Sequence, residues 1–151
     1  MKKILVIGAG RSAVVLIDYL LDHATQENWH ITLADADLAH AKNMIGDSKH
    51  ATAHELDATS DALRAALIAD HDLIISMLPA FLHTLVANDC LALKKNLVTP
   101  SYISKEMLEL QEKVEAAGLI FLNELGVDPG ISVKLVVLVT VTSRGFDDDA
   151  A

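Results

Sequence analysis

The sequence predicts an α/β fold in which helices cover both faces of a doubly wound, mostly parallel six-stranded sheet. Apolar runs of strand length alternate with helix-like stretches, as is typical of parallel strands joined by crossover helices. The runs ILVI and LIIS are almost entirely apolar, as expected of strands covered on both faces. With 151 residues, 52% of them hydrophobic and 22% charged, the chain has the size and composition of one globular domain.

The predicted elements alternate along the chain. Strands are expected at residues 3–8, 29–35, 50–57, 71–79, 95–101 and 119–125, and helices at residues 11–24, 37–46, 60–69, 80–93 and 104–117. Ser60 and Ser104 stand where helix N-caps are expected, and Gly118 stands where a helix would end. We assign residues 1–131 to this domain. Residues 132–151 depart from the pattern, with a β-branched run compatible with one extra strand before an acidic, disordered end.

Charge and cysteine content argue against several classes of partner and location. The formal net charge is −9 without a cluster of Lys and Arg, so a nucleic-acid partner is not expected. Residues 131–142 form the longest apolar stretch, which is shorter than the roughly 18 to 20 residues that a membrane-spanning helix needs. The single cysteine, Cys90, and the absence of signal-peptide segmentation indicate a cytoplasmic protein.

A glycine-rich segment separates the first predicted strand from the first helix. Gly8, Gly10 and Ala13 form a GxGxxA pattern in this position. The first glycine permits a tight turn, the second lets the backbone approach a pyrophosphate, and the small third residue lets helix and strand pack closely. The segment therefore predicts a dinucleotide-binding turn, with a purely steric bend as the alternative.

The second predicted strand ends in an acidic residue, Asp35, which follows Gly10 by 25 residues. A carboxylate near this spacing accepts hydrogen bonds from the adenosine ribose and repels a 2′-phosphate, which favours NAD over NADP as the cofactor. In the alternative, Asp35 caps the next helix, a role that Asp37 fills equally well. Arg11 is a candidate phosphate ligand and weakens the preference for NAD.

Other polar residues have weaker signals. Asp57 follows the third strand at the edge where ligands bind, and either approaches the adenine or caps a turn. His50 and His54 are four residues apart without a completing ligand set, so no metal site is expected. Cys90 is expected to pack within a helix. The remaining histidines are expected to have surface or capping roles, and they are His23, His30, His40, His71 and His83.

Three later segments are more specific than the general pattern of a dinucleotide-binding fold: ISMLPAFLH (75–83), LVTPSYISKEMLEL (97–110) and FLNELGVDPGI (121–131). Together with GAGRSA (8–13), they resemble the saccharopine dehydrogenase family, in which a Rossmann domain precedes a larger substrate domain. SYIS and NELGVDPG are the specific parts of the resemblance. Read without it, DPG is a turn and SY the end of a strand.

The resemblance implies a role for each matched segment. It implies that the glycine turn lies at the cofactor phosphates, that Asp35 lies at the ribose, and that the SMLP loop follows the cofactor toward the nicotinamide. It further implies that Ser101 lies beside the cofactor and that Tyr102 and Asp128 are catalytic. The implied cofactor ligands are Gly8, Gly10, Arg11, Ser12, Ala13, Asp35, Ser76, Met77, Leu78, Pro79 and Ser101, and Asp57 is the further candidate given above.

Two departures from the family pattern limit what this chain is expected to do. Pro100 stands where members usually have Thr, and DPGISV replaces DPGIDH. The chain ends about where the substrate domain would begin, so we expect the cofactor half alone.

The family oxidises the CH–NH bond of a secondary amine joining two amino acids, a reaction of lysine metabolism, and passes hydride to the nicotinamide. The resemblance therefore implies a dinucleotide-binding domain that is inactive alone, with an amino-acid-derived substrate for the full-length enzyme. A carboxynorspermidine synthase-like reductase and a stand-alone nucleotide-sensing module are the alternatives. The sequence leaves a homodimer open.

Overall fold

Six strands form one parallel sheet in the computed structural model, which describes residues 1–125. The strands are β1 (Lys2–Ile7), β2 (Trp29–Asp35), β3 (Ala51–Glu55), β4 (Leu73–Ser76), β5 (Asn96–Val98) and β6 (Phe121–Leu122). Their spatial order is β3-β2-β1-β4-β5-β6, and every neighbouring pair is parallel. This arrangement confirms the predicted doubly wound α/β fold.

Six α-helices and two 3₁₀ turns connect the described strands. The helices are α1 (Val14–Glu27), α2 (Leu38–Ile45), α3 (Asp61–Ala69), α4 (His83–Ala92), α5 (Lys105–Glu109) and α6 (Gln111–Ala116). The 3₁₀ turns, Arg11–Ala13 and Ala80–Leu82, lead directly into α1 and α4. No helix among the described residues is long and apolar enough to cross a bilayer.

The central strand β1 divides the hydrophobic core into two layers. Leu5 and Ile7 belong to the cluster covered by α3, α4, α5 and α6, whereas Ile4 and Val6 belong to the cluster covered by α1 and α2. All four side chains are at most 4% exposed. Burying an aliphatic side chain of this size contributes about 1.5 to 3 kcal/mol, so β1 stabilises both layers at once.

The chain order reverses beside β1. The chain builds β2 and β3 on one side of β1 and then crosses to β4, β5 and β6 on the other. In open α/β sheets the crevice at such a reversal, at the carboxyl ends of the strands, is where ligands bind. The fold therefore places the glycine segment after β1 at the point where a ligand site is expected.

Several predicted boundaries differ from the structure. β4 and β5 are shorter than predicted, and residues 77–79 and 99–101 follow them as edge loops. The predicted helix 104–117 is two helices joined at Leu110, whose N–H donates to the Met107 carbonyl in a tight turn. Predictions for residues 126–131 and for the tail 132–151 lie outside the described residues.

The predicted caps are correct at two of three positions. The Ser104 hydroxyl accepts a hydrogen bond from the Met107 N–H, and Gly118 ends the helical segment at φ +67°. Ser60 stands at the N-cap of α3, but its side chain makes no capping hydrogen bond. Its backbone is used instead, because its N–H donates to Asp57 and its carbonyl accepts from Arg64.

His71 is buried and not on the surface, whereas the capping role expected for it is confirmed, because its ring bonds a carbonyl in the last turn of α3. It is 5% exposed, with Nδ1 2.7 Å from the Leu67 carbonyl and Nε2 2.7 Å from the Thr32 hydroxyl. A carbonyl only accepts, so Nδ1 carries the proton and Nε2 accepts from Thr32. Burial lowers the pKa of His71, which keeps the ring neutral in this role.

Arg64 is a buried cation that no sequence pattern predicted. Its side chain is 2% exposed, and its guanidinium donates to Asp89 at 2.6 Å, to Asp61 at 2.9 Å and to the Ala58 carbonyl at 2.6 Å. The bonds to Asp89 and Ala58 tie α3 to α4 and to the loop after β3, whereas the bond to Asp61 lies within α3. Because Asp61 is 86% exposed, the Asp89 and Ala58 contacts are the shielded ones.

Arg64→Ala is expected to lower the free energy of unfolding by about 3 kcal/mol, since it leaves Asp89 and a buried carbonyl without their donor. The measurement is urea denaturation followed by circular dichroism, with Arg11→Ala as the matched control because Arg11 is exposed. Equal denaturation midpoints for the two variants would show that the buried guanidinium does not stabilise the fold.

Candidate functional site

The turn after β1 requires glycine at its first position. Gly8 has φ +102°, and a Cβ built there would lie 2.9 Å from the Met77 carbonyl oxygen and 3.0 Å from its carbon. The Gly8 N–H donates to the Ala34 carbonyl at 2.8 Å, and the Met77 N–H donates to Ile7 at 2.8 Å. The turn is therefore held against the ends of β2 and β4.

Gly10 has a different environment. Its backbone angles, φ −67° and ψ 172°, are open to any residue, and a Cβ built there would have nothing within 4 Å. Neither conformation nor packing in the described chain therefore requires a glycine. The position leaves open space next to the backbone, as the approach of a pyrophosphate would need.

The 3₁₀ turn at Arg11–Ala13 starts the helical segment without a side-chain cap. Ala13 is fully buried and its N–H bonds to the Gly10 carbonyl at 2.9 Å, so its small side chain lets the turn lie close to the sheet. Arg11 and Ser12 are exposed. Amides at the start of a helix attract anions, and here no described side chain occupies that role.

The carboxylate of Asp35 holds the glycine turn. Its Oδ2 accepts from the Ala9 N–H at 2.7 Å, and its Oδ1 accepts from the Asp37 N–H at 2.9 Å. The Ala9 carbonyl, in turn, accepts from Nε2 of His40 at 2.8 Å. The backbone N–H and carbonyl of Ala9 are thus bound by Asp35, at the end of β2, and by His40, in α2.

Asp37, and not Asp35, caps α2. The Asp37 carboxylate accepts from the His40 N–H at 3.0 Å, and Asp37 is the N-cap residue. The alternative in which Asp35 serves only as the helix cap is therefore wrong. Asp35 lies instead at the carboxyl end of β2, next to the glycine turn, where a ribose-binding acid is expected.

Asp57 forms a turn. Its Oδ1 accepts from both the hydroxyl and the N–H of Thr59, at 2.6 and 2.9 Å, and these bonds lower the pKa of the carboxyl. The turn-capping alternative is thus present in the structure. Asp57 is exposed at the carboxyl edge of the sheet, and its approach to an adenine remains a prediction.

The SMLP segment borders the glycine turn from the opposite side. Ser76 ends β4 and is fully buried, and Met77 and Leu78 are half-buried. Pro79 is exposed and begins the 3₁₀ turn that carries Phe81, which is 78% exposed. The segment therefore reaches from the core to the open edge beside Gly8.

His83 joins two edge segments and contradicts the expected surface or capping role. It is 3% exposed, with Nδ1 2.8 Å from the Ser76 hydroxyl and Nε2 2.7 Å from the Ser101 hydroxyl. The sequence signal for this contact was the position of His83 in ISMLPAFLH, seven residues after Ser76. The helical turns between the two residues bring His83 back to the end of β4.

Hydrogen bonds hold the backbone of the segment after β5. The Ser101 N–H donates to the Thr99 hydroxyl at 3.1 Å, and its carbonyl accepts from the Glu124 N–H at 3.1 Å. Tyr102 is 58% exposed beside it. The structure thus brings Ser76, Ser101 and Tyr102 to one side of the edge, whereas Asp128 lies outside the described residues.

Neither a reactive thiol nor a metal centre belongs to this site among residues 1–125. Cys90 is fully buried in the core, and burial raises its pKa to about 12, so it packs as expected. Within residues 1–125, no group of three or more His, Cys, Asp or Glu side chains is placed to hold a metal ion.

Comparisons with known proteins agree with this geometry. Residues 4–122 match the family model described as saccharopine dehydrogenase NADP binding domain. The chain is 36% identical over 130 residues to the saccharopine dehydrogenase [NADP(+), L-glutamate-forming] of Pyricularia oryzae, a match that covers 86% of this chain and 28% of the relative. It is 35% identical over 137 residues to the mitochondrial alpha-aminoadipic semialdehyde synthase of Bos taurus, a match that covers 90% and 14%.

A solved structure extends the comparison to the fold. Apo saccharopine dehydrogenase (L-Glu forming) from Saccharomyces cerevisiae superimposes with a TM-score of 0.79 at 34% identity. The match covers 87% of this chain and 29% of that one, so the chain spans less than a third of these relatives. On this family match and this geometry, the chain belongs to the saccharopine dehydrogenase family, and its described part is the Rossmann-type pyridine-nucleotide-binding domain of that family.

Proposed function

We propose that this chain holds the pyrophosphate of a pyridine dinucleotide on the turn between Gly8 and Ala13. We further propose that it is the hydride-transfer half of an oxidoreductase acting on the CH–NH bond of a secondary amine that links two amino acids. The observation that carries the proposal is the open space at Gly10, since nothing within the described chain requires a glycine there. The activity for which the fungal relatives are named supports the reaction class.

The turn offers an anion site even though the chain as a whole is negative. Gly10 leaves its backbone accessible, and the uncapped start of the helical segment presents amide groups. Arg11 is exposed in the same turn and supplies a positive charge. A phosphate at this position would therefore be met by backbone donors and one cation, without a cluster of basic residues elsewhere.

We propose NAD as the preferred dinucleotide, although the family model and the fungal relatives are named for NADP. Residues 35–41 contain two carboxylates, one histidine and neither Arg nor Lys. Each oxygen of the Asp35 carboxylate accepts one backbone N–H and keeps a second lone pair for a ribose hydroxyl. A 2′-phosphate at the same place would meet like charge without a described basic partner on this segment.

The bound cofactor would supply the hydride chemistry, and the chain's own residues would orient it. Ser76 to Pro79 would border the nicotinamide half, because the adenosine half lies toward Asp35 on the other side of β1. Ser101 and Tyr102 would present hydroxyl groups to that half and to the substrate, and Asp128 is proposed as a further catalytic group. A cytoplasmic location and a homodimer stay predictions, and some relatives are named as mitochondrial.

Gly10→Ala is expected to leave the unfolding midpoint near that of the wild-type chain, because the added Cβ has no atom within 4 Å. It is expected to weaken NAD binding about tenfold or more, because that Cβ occupies the pyrophosphate position. Calorimetric titration with NAD and urea denaturation measure the two effects. Gly8→Ala is the contrasting variant, since its strained φ and its contact with Met77 should destabilise the fold itself. Unchanged NAD affinity in Gly10→Ala would contradict the placement of the pyrophosphate.

The wild-type chain is expected to bind NAD about tenfold or more tightly than NADP. Asp35→Asn is expected to weaken NAD binding and to narrow the ratio of the two affinities, because it removes the charge that repels a 2′-phosphate. Titrations with both dinucleotides measure the ratio. Asp22→Asn, which removes one exposed charge from α1, is the matched control. A preference for NADP in the wild-type chain, or equal losses for both dinucleotides in Asp35→Asn, would defeat the assignment of the ribose site.

A further inference from the structure

His83 is placed to control a hydrogen bond at the edge of the site. Its ring bridges two serine hydroxyls, one at the end of β4 and the other after β5, at 2.8 and 2.7 Å. The side chain is 3% exposed, and burial lowers its pKa, so the imidazole is neutral near pH 7. A neutral imidazole has one donor and one acceptor nitrogen, so the two serines must play different roles.

The buried serine decides which nitrogen carries the proton. Ser76 is fully buried, and within the part of the chain that the structure describes its hydroxyl has one partner, Nδ1 of His83. If Nδ1 donated to Ser76, the hydroxyl proton of Ser76 would be buried without an acceptor. The favourable arrangement has Ser76 donating to Nδ1, which leaves the proton of His83 on Nε2.

The second serine then has a defined polarity. Nε2 of His83 donates to the Ser101 oxygen, so the Ser101 hydroxyl has its own proton left to donate. The backbone of Ser101 is held on both sides, by Thr99 and by Glu124. Ser101 is half-buried, and its hydroxyl has no other partner among residues 1–125, so that proton is available at the carboxyl edge.

We propose that His83 is a positioning residue whose Nε2–H tautomer makes the Ser101 hydroxyl a directed donor to the carboxamide oxygen of a bound nicotinamide. This inference rests on the proposed dinucleotide site. With the adenosine half at Asp35, on the β2 side of the glycine turn, the nicotinamide half extends over the ends of β4 and β5. A carboxamide oxygen is an acceptor and needs a donor of this kind.

The tautomer is measured without a ligand. Two-bond ¹H–¹⁵N correlation spectra of the histidine-labelled 151-residue chain should show His83 with a protonated Nε2 and a bare Nδ1 near neutral pH, and the missing signal in His83→Gln assigns the ring. A protonated Nδ1, or a doubly protonated ring, would overturn the proposed polarity.

The role in binding is measured with two ligands, NAD and ADP-ribose, which lacks the nicotinamide. His83→Gln keeps a donor near the Nε2 position and should retain NAD affinity within about threefold, whereas His83→Asn and Ser101→Ala should each lose about tenfold. All three variants should bind ADP-ribose as the wild-type chain does.

The outcomes distinguish the role proposed for His83 from the proposed dinucleotide site on which it rests. Equal losses for NAD and ADP-ribose, or no loss of NAD affinity in His83→Asn, would overturn the role of His83 while leaving the dinucleotide site intact. A wild-type chain that binds neither ligand would contradict the dinucleotide site itself, and with it the acceptor assigned to Ser101.

Discussion

The close approach of Gly8 to the Met77 peptide is the constraint on which the rest of the site depends. A Cβ at Gly8 would lie 2.9 Å from the Met77 carbonyl oxygen, so no other residue lets the end of β1 lie this close to the end of β4. That contact lets the chain turn sharply into the start of α1 at the point where the strand order reverses. The accessible backbone at Gly10 and the uncapped helical start come directly after this turn in the chain.

Polar side chains hold this edge from both sides of β1. On the β2 side, Asp35 and His40 bind the two polar groups of the Ala9 peptide. On the β4 side, His83 links the buried Ser76 to Ser101. The edge loops are thus tied to the sheet by specific hydrogen bonds, which is how a preorganised site keeps its shape before a ligand arrives.

The carboxylate at Asp35 has one observed role and one proposed role, and the two are compatible. It stabilises the glycine turn through Ala9, and the proposed ribose contact would use its remaining lone pairs. Family membership rests on residues 4–122 and on the shared fold, whereas the proposed cofactor preference rests on a few side chains at and after the end of β2. The proposed preference for NAD is therefore compatible with membership of a family whose model is named for NADP.

The sequence by itself determined the sheet, its crossover helices and the glycine turn, because these depend on local periodicity and on conformations that few residues allow. It did not determine which histidines turn inward. His71 bonds to Thr32, 39 positions away, and His83 bonds to Ser101, 18 positions away. The buried Arg64 and its partner Asp89 are likewise 25 positions apart. Such pairs are decided only by the tertiary structure, because a polar side chain at the end of an element is buried only where the fold supplies a partner for it.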